Sequence, residues 1–297
     1  VKPDKEEYYE DILVYVDDII SVSHAPMDIM NEITNTFKFK GDRCAEPDIY
    51  LGARLQKRSV GNKPCWTMTS VDYINAGVKN LEEVLENKSW RMPKKAPTPM
   101  TTGYVPELDI SDELNAEDTQ FYQELIGMLR WATEIGRVDI LHEISILSQY
   151  QASPREGHIE QLINIWSFLR QDPKLTLYFD PTLPVMDHSV FTSNADDFQE
   201  LYRGAAEQLP HNMPVPRGRS VMTTSYVDAS HAANKKTRRS HSGYIIFVNR
   251  APIIWYSKRQ QTVEASTFSS EYIALKTCIE AIQTLRFKLR MFGVPMR

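Results

Sequence analysis

The stretch ILVYVDDIISVSH, residues 12–24, sets two adjacent carboxylates, Asp17 and Asp18, inside an otherwise apolar run. The β-branched residues Ile12, Val14, Val16, Ile19, Ile20 and Val22 flank them on both sides, which reads as strand, tight turn, strand. A turn takes polar residues readily, but it does not require two acids side by side. Two carboxylates about 5 Å apart repel by roughly 3 kcal/mol at an effective dielectric of about 20. A divalent cation offsets that repulsion. Mg²⁺ accepts one or two carboxylates and completes its shell with water and substrate phosphates, and paired ions serve phosphoryl transfer. The alternative is an Asp-Asp turn at a hairpin tip with no ion.

Outward from this stretch, a second hairpin is expected where IYLGARLQKR and CWTMTS flank SVGNKP, whose Gly61, Asn62 and Pro64 are turn formers. Ser70 is placed to cap a helix in which Ile74, Val78, Leu81 and Leu85 recur at helical spacing. A Pro-punctuated loop, residues 92–106, ends that unit. Helices follow with faces at Phe121, Leu125, Met128 and Ala132, then at Ile140, Ile144 and Leu147. Ser153-Pro154 opens another, with Ile159, Leu162, Ile163, Trp166 and Leu169 on one side. Residues 180–218, rich in Pro and acids, read as a connector. Beyond it the pattern predicts a strand over SVMTTSYVDAS, a polar loop, a tight strand pair turning through Asn249 to Ala251, and a helix from about Phe268 to Met291. Leu275, Cys278, Ile279, Ile282, Leu285 and Leu289 are its expected inner face.

The chain has 297 residues, of which 42% are hydrophobic and 25% charged, as in ordinary globular proteins with real cores. No apolar run approaches a membrane span, and no signal-peptide pattern opens the chain. A start at Val1 in a charged segment reads as a piece of a longer protein. Cys44, Cys65 and Cys278 share no metal-like spacing and read as free thiols in a reducing compartment. Net charge is −5, yet it is unevenly held: from Arg217 onward 14 Lys and Arg face 4 Asp and Glu. A basic end beside an acidic body is the asymmetry of polyanion binders, against the alternative of a merely solvated basic face.

Within that basic end, Asp228 and Glu271 stand out among the few acids. Glu271 lies four residues before Leu275 and seven before Cys278, so it is expected on their inward face. There it would pair with Asp228 around a cation or else simply favour its helix N-terminus. Lys235, Lys236, Arg238, Arg239, Lys258 and Arg259 are candidates to grip phosphates without sequence preference. The seven His residues show no paired ligand spacing, and His231 and His241 are expected in solvent. Trp131, Trp166 and Trp255 read as core rather than as base-stacking platforms.

YVDDI (Tyr15 to Ile19) resembles the catalytic hairpin of a reverse transcriptase, and YLGARL resembles the strand pair that holds the primer end in such enzymes. The YQELIGMLRWATEIGRVDILHEISILSQYQASPREGH stretch is similar to the thumb and connection of copia-like retrotransposon polyproteins. The VDASHA…RRSHSGY…WYSKRQ…EAST…SEY series is similar to the start of their ribonuclease H domain. The resemblance covers nearly the whole chain in order. It implies an α+β fold: the C-terminal part of a palm (1–69), a helical thumb and connection (70–179), a linker (180–218), and an incomplete ribonuclease H-like α/β domain (219–297). It implies that Asp17 and Asp18 hold the polymerase metals and that Asp228 and Glu271 are the first two ribonuclease H acids. Tyr15 would sit close to the incoming nucleotide. Mg²⁺ is the implied cofactor, and the implied partners are an RNA template, a primer, an RNA–DNA hybrid and the remaining polyprotein segments. A cytoplasmic virus-like particle with a nuclear stage is the implied setting, with no membrane partner. Both acid clusters would be completed only in a longer polyprotein. The alternative is a degenerate remnant that binds nucleic acid without chemistry.

Overall fold

The computed structural model describes residues 8–16, 18–38, 45–186 and 209–297. Asp17, Cys44 and most of the expected connector lie outside them.

Strands β1 (Asp11–Tyr15) and β2 (Asp18–Val22) pair antiparallel with Tyr15 opposite Asp18, so the connection has two residues. Val16, the first of these, has φ 52°, a left-handed conformation that a β-branched side chain adopts only under strain. The hairpin was expected against a core. Instead Ile12, Leu13, Val14, Tyr15 and Val22 are all exposed, because the sheet has two strands and packs mainly on α1 (Pro26–Thr36), which itself buries no residue. The sequence reading assigned no helix there, although Pro26 at its first turn is a start signal.

A second sheet has the order β3-β4-β5-β6. β3 (Ile49–Tyr50) turns into β4 (Ala53–Val60) through Leu51 and Gly52, both with positive φ, as a two-residue hairpin turn requires. β4 turns into β5 (Lys63–Thr69) through Gly61 and Asn62 alone. Pro64 therefore belongs to a strand and not to the turn; it is tolerated because β6 (Thr176–Phe179) pairs β5 only from Trp66 to Thr69. Between β5 and β6 run α2 (Val71–Leu85), α3 (Ala116–Glu134), α4 (Leu141–Leu147) and α5 (Glu156–Gln171).

These helices share one core. Ile74, Val78, Leu81 and Leu85 of α2 meet Leu125, Ile126 and Leu129 of α3, Ile144 and Leu147 of α4, and Ile159, Leu162 and Trp166 of α5. The 3.6-residue spacing read from the sequence is the spacing of these buried faces. Helix α5 starts later than Ser153-Pro154 suggested: Arg155 is its N-cap, and the His158 side chain returns to the Arg155 amide at 3.1 Å.

The third sheet is β7 (Thr223–Ser230), β8 (His241–Val248) and β9 (Ala251–Arg259), all antiparallel, with α6 (Thr267–Met291) packed on β7 and β8. Most of the expected face of α6 is the one it buries: Cys278 and Leu285 are buried and Ile282 and Leu289 pack beside them. In the first half of the helix, however, Ser270 and Ala274 turn inward, while Leu275 and Ile279 are 47% and 44% exposed. Small side chains at 270 and 274 let the helix approach the sheet closely, which rotates the larger apolar residues outward. Past α6 the chain returns beside β7. The Val221 amide donates to the Pro295 carbonyl and the Arg297 amide to the Val221 carbonyl, both at 2.9 Å, in a parallel bridge.

The third sheet docks on the helices through β9, which meets α4 and β6. The Trp255 indole N–H donates to the Thr133 carbonyl at 3.0 Å.

Candidate functional site

Asp18 of the opening stretch lies on the first sheet, whereas Asp228 and Glu271 lie on the third sheet and the helix packed on it, so the structure presents separate candidate sites. At the first, Asp18 is exposed at the start of β2 opposite Tyr15, and Asp17 lies outside the described residues. The third member of this group was missed by the sequence reading. Tyr50, at the end of β3, has its phenol pushed up by burial and then by the charges of Asp18 and Tyr15. The signal was present in YLG, where a Gly-containing tight turn holds Tyr50 at a strand end.

At the second site Asp228 is exposed on β7, paired with Gly243, and Glu271 is exposed just past the first turn of α6. Glu271 does not share the inward face expected of it; Ser270, one residue earlier, is buried instead. The Gln260 amide donates to the Ser270 carbonyl and to Ser242 Oγ, both at 2.9 Å, and Ser270 Oγ lies 3.3 Å from His231 Nδ1. Ser266 caps the helix by accepting from the Ser269 amide at 3.2 Å. These bonds fix the start of α6 at the end of the sheet that carries Asp228. Val227, however, packs with Cys278 and Leu285 of α6 and Ala229 is buried, so strand alternation turns Asp228 to the opposite face. The structure does not bring the two acids together. No group of three or more His, Cys, Asp or Glu able to hold a metal occurs among the described residues.

The candidate phosphate-gripping cations divide into two sets. Lys235, Lys236 and Arg238 are exposed in the loop after β7, and the loop is latched by the Lys235 amide to the Glu107 carboxylate. Arg239, Lys258 and Arg259 instead line a cleft of about 510 Å³ between the third sheet and the helices.

Nearby, His241 is buried, contrary to the expectation of solvent exposure. It is the first residue of β8, its Nε2 lies 2.8 Å from Ser257 Oγ, and its ring meets that of His142 edge-on at 4.7 Å. Burial, and then the charges of His142 and Arg259, hold the His241 imidazole down at about 4. The consequence is pH-dependent stability. The unfolded imidazole takes a proton near pH 6.5, whereas the folded one resists until about 4. Stability is therefore complete above the unfolded value and is lost as pH falls through that window, by about 2 kcal/mol at pH 5. Glu143, whose carboxyl is raised by burial, contributes with the opposite sign. The readout is accordingly the difference between the wild type and His241→Gln. Urea unfolding at pH 7.5 and 5 should show the wild type losing about 2 kcal/mol more than the variant; equal losses would remove His241 from the account.

Several curated proteins are similar to this chain along most of its length. The retrovirus-related Pol polyprotein from transposon RE1 of Arabidopsis thaliana is 23% identical over 286 residues, 96% of this chain. The putative transposon Ty5-1 protein of Saccharomyces cerevisiae is 25% identical over 274 residues. The Pol polyprotein from transposon TNT 1-94 of Nicotiana tabacum is 26% identical over 286 residues. The chain spans 16% and 18% of the RE1 and TNT 1-94 polyproteins and 73% of the Ty5-1 protein. No family model matches, and no solved structure matches. Among the described residues no helix is long and apolar enough to cross a membrane. By sequence this chain is a homologue of retrotransposon Pol polyproteins, consistent with a segment of a copia-like polyprotein.

Proposed function

We propose that the chain forms part of a retrotransposon RNA-directed DNA polymerase with its ribonuclease H domain, a Mg²⁺-dependent phosphoryl-transfer enzyme in the full-length parent. The observation that carries this reading is the similarity to Pol polyproteins over 91–96% of the chain. The layout of the third sheet supports it. Three antiparallel strands are followed by a helix packed on them, and the chain then forms a parallel bridge at Val221, just before β7.

Asp18, Asp228 and Glu271 suit a hard cation, since none of them forms an ion pair with a Lys or Arg among the described residues. Asp17 and Asp18 would hold Mg²⁺ on the polymerase side and Asp228 and Glu271, once brought together, on the ribonuclease H side. Bound Mg²⁺ supplies charge stabilisation to the transferring phosphoryl group and activates the attacking oxygen. The chain's own part is to hold the acids: the β1–β2 register fixes Asp18 opposite Tyr15, and the Ser270–Gln260–Ser242 bonds fix Glu271. The basic residues of the C-terminal module would draw in the polyanion. RNA template, primer and RNA–DNA hybrid are the partners this assigns, with other polyprotein segments completing each acid cluster.

A second reading is a non-catalytic nucleic-acid binder, which the basic C-terminal module supports, with 14 Lys and Arg against 4 Asp and Glu from Arg217 onward. One experiment separates the two: the chain with a labelled RNA·DNA hybrid and Mg²⁺, beside Asp228→Asn and Glu271→Gln. RNA cleavage that disappears in both variants is the result expected of the catalytic reading. Hybrid binding that weakens with salt, without cleavage, assigns the binder. Neither binding nor cleavage overturns both.

A further inference from the structure

We propose that the cleft between the helices and the third sheet is a phosphate groove that seats the backbone of one nucleic-acid strand, with Arg130 of α3 as its previously unassigned wall. The proposal rests on the nucleic-acid reading above and deepens it by naming where the strand lies. Arg130 reaches the cleft from the helices, and Arg239, Lys258 and Arg259 reach it from the sheet. Glu134 is the one acid among the lining residues, which leaves a local excess of three positive charges. Among the described residues none of these four cations forms an ion pair, whereas Arg54, Lys57, Lys88, Arg137, Arg155 and Arg170 all do. Like charges gathered around one cleft repel one another, and a polyanion that displaces their counterions removes that repulsion.

The walls are set before any ligand arrives. The Trp255 indole ties β9 to the Thr133 carbonyl of α3 at 3.0 Å. The charge of Arg259 acts on His241 of the sheet and on Tyr150 of the helices alike, placing it at the junction. A volume of about 510 Å³ lies in the range of clefts that enclose small ligands. It admits a stretch of one strand and excludes a duplex. The loop cations Lys235, Lys236 and Arg238 do not line the cleft, so they are assigned no part in seating the strand.

The test is the binding of a fluorescent single-stranded oligonucleotide without Mg²⁺, followed by anisotropy across a salt series. It uses the full chain and the variants Arg130→Ala, Lys258→Ala and Lys79→Ala, the last an exposed lysine of α2 outside both the cleft and the basic module. Single-strand affinity falls with salt with a log–log slope of roughly −0.7 per phosphate contact. Arg130→Ala and Lys258→Ala are each expected to flatten the slope by about 0.7 and to weaken binding roughly 5–10-fold at about 50 mM salt, with Lys79→Ala unchanged. All three altered positions are exposed, and matched circular dichroism spectra guard against misfolding. Equal effects from Lys79→Ala would replace the groove by a diffuse basic surface. No binding at low salt would overturn the groove outright. Both results leave the hybrid-cleavage experiment to judge the catalytic reading separately, because binding here needs neither Mg²⁺ nor Asp228.

Discussion

Trp166→Ala is expected to lower the unfolding free energy by about 4 kcal/mol, within the range for deleting a buried aromatic side chain. Trp166 is fully buried at the centre of the helical core, and its ring lies against α2 at Gly77. A Cβ at that glycine would fall 2.4 Å from Trp166 Cη2 and 2.6 Å from Cζ3. Helix propensity alone favours alanine over glycine by about 1 kcal/mol. The clash is with the outer edge of a fully buried ring, and overpacking of this kind costs roughly 1–3 kcal/mol or more. Gly77→Ala is therefore expected to destabilise despite the better helix former. Trp166→Phe shortens the ring away from α2 and removes an indole N–H that has no partner, so it is expected to cost far less than alanine. Combined with Gly77→Ala it should recover stability, giving a coupling of about 2 kcal/mol. Denaturant unfolding of the two single variants and the double variant measures it. Strict additivity would mean that the ring and the glycine do not oppose one another.

The same pair shows what a sequence discloses and what it withholds. Trp166 is legible as core because Ile159, Leu162, Ile163 and Leu169 surround it at helical spacing, and that pattern is local. Gly77 is not legible: nothing in INAGVKN says that a ring from 89 residues later needs its space. Strand β6 is hidden for a related reason. Thr176–Phe179 is short, and its partner β5 lies over 100 residues away, so pairing and not propensity makes it a strand. On α6 two apolar stripes lie side by side, and hydrophobicity favours the larger residues. The choice fell to Ser270 and Ala274, whose small size sets the approach of helix to sheet.

The candidate sites divide along the same line. YVDD displays its acids to any reader because charge inside an apolar run is a local anomaly. The position of Asp228 on a strand and of Glu271 on the helix that follows the sheet is also local, and the structure places both there. The inward orientation expected of Glu271 depended on which stripe of α6 meets the sheet, and it fails with that choice. Tyr50 and Arg130 were missed because each acquires its role from a neighbour distant in sequence: Asp18 for the first, β9 for the second. His241 sits among polar residues that suggest solvent, yet β9 and α4 close over it.

Arg137→Ala is the other substitution with a large expected effect, about 3–4 kcal/mol. The Arg137 side chain is 1% exposed. Its Nε and Nη2 donate to the two carboxylate oxygens of Asp139 at 2.9 and 2.7 Å, and Nη1 donates to the Asp172 carbonyl at the end of α5. One guanidinium thus ties the turn between α3 and α4 to the point where the chain leaves α5 for β6. Removing one partner of a buried ion pair costs roughly 3–5 kcal/mol, because the other charge and its acceptors are left without donors. Asp139 retains some contact with water, its side chain being 28% exposed, which places the expectation in the lower part of that range. Arg137→Lys keeps the charge but not the planar fork, so it should recover only part of the loss. Asp139→Asn leaves the buried guanidinium without its counter-charge, so it too should cost more than Arg137→Lys. A smaller loss for Arg137→Lys than for Arg137→Ala or Asp139→Asn, read from urea midpoints, is the expected result. A loss below 1 kcal/mol for alanine would mean that the α3–α4 turn holds its place without this residue. The strand pairing of β6 supplies a second readout. If Arg137 anchors the exit from α5, amide exchange at Thr176–Phe179 should accelerate in the alanine variant more than at Ala53–Val60 of β4, where the hairpin is closed locally through Gly61 and Asn62.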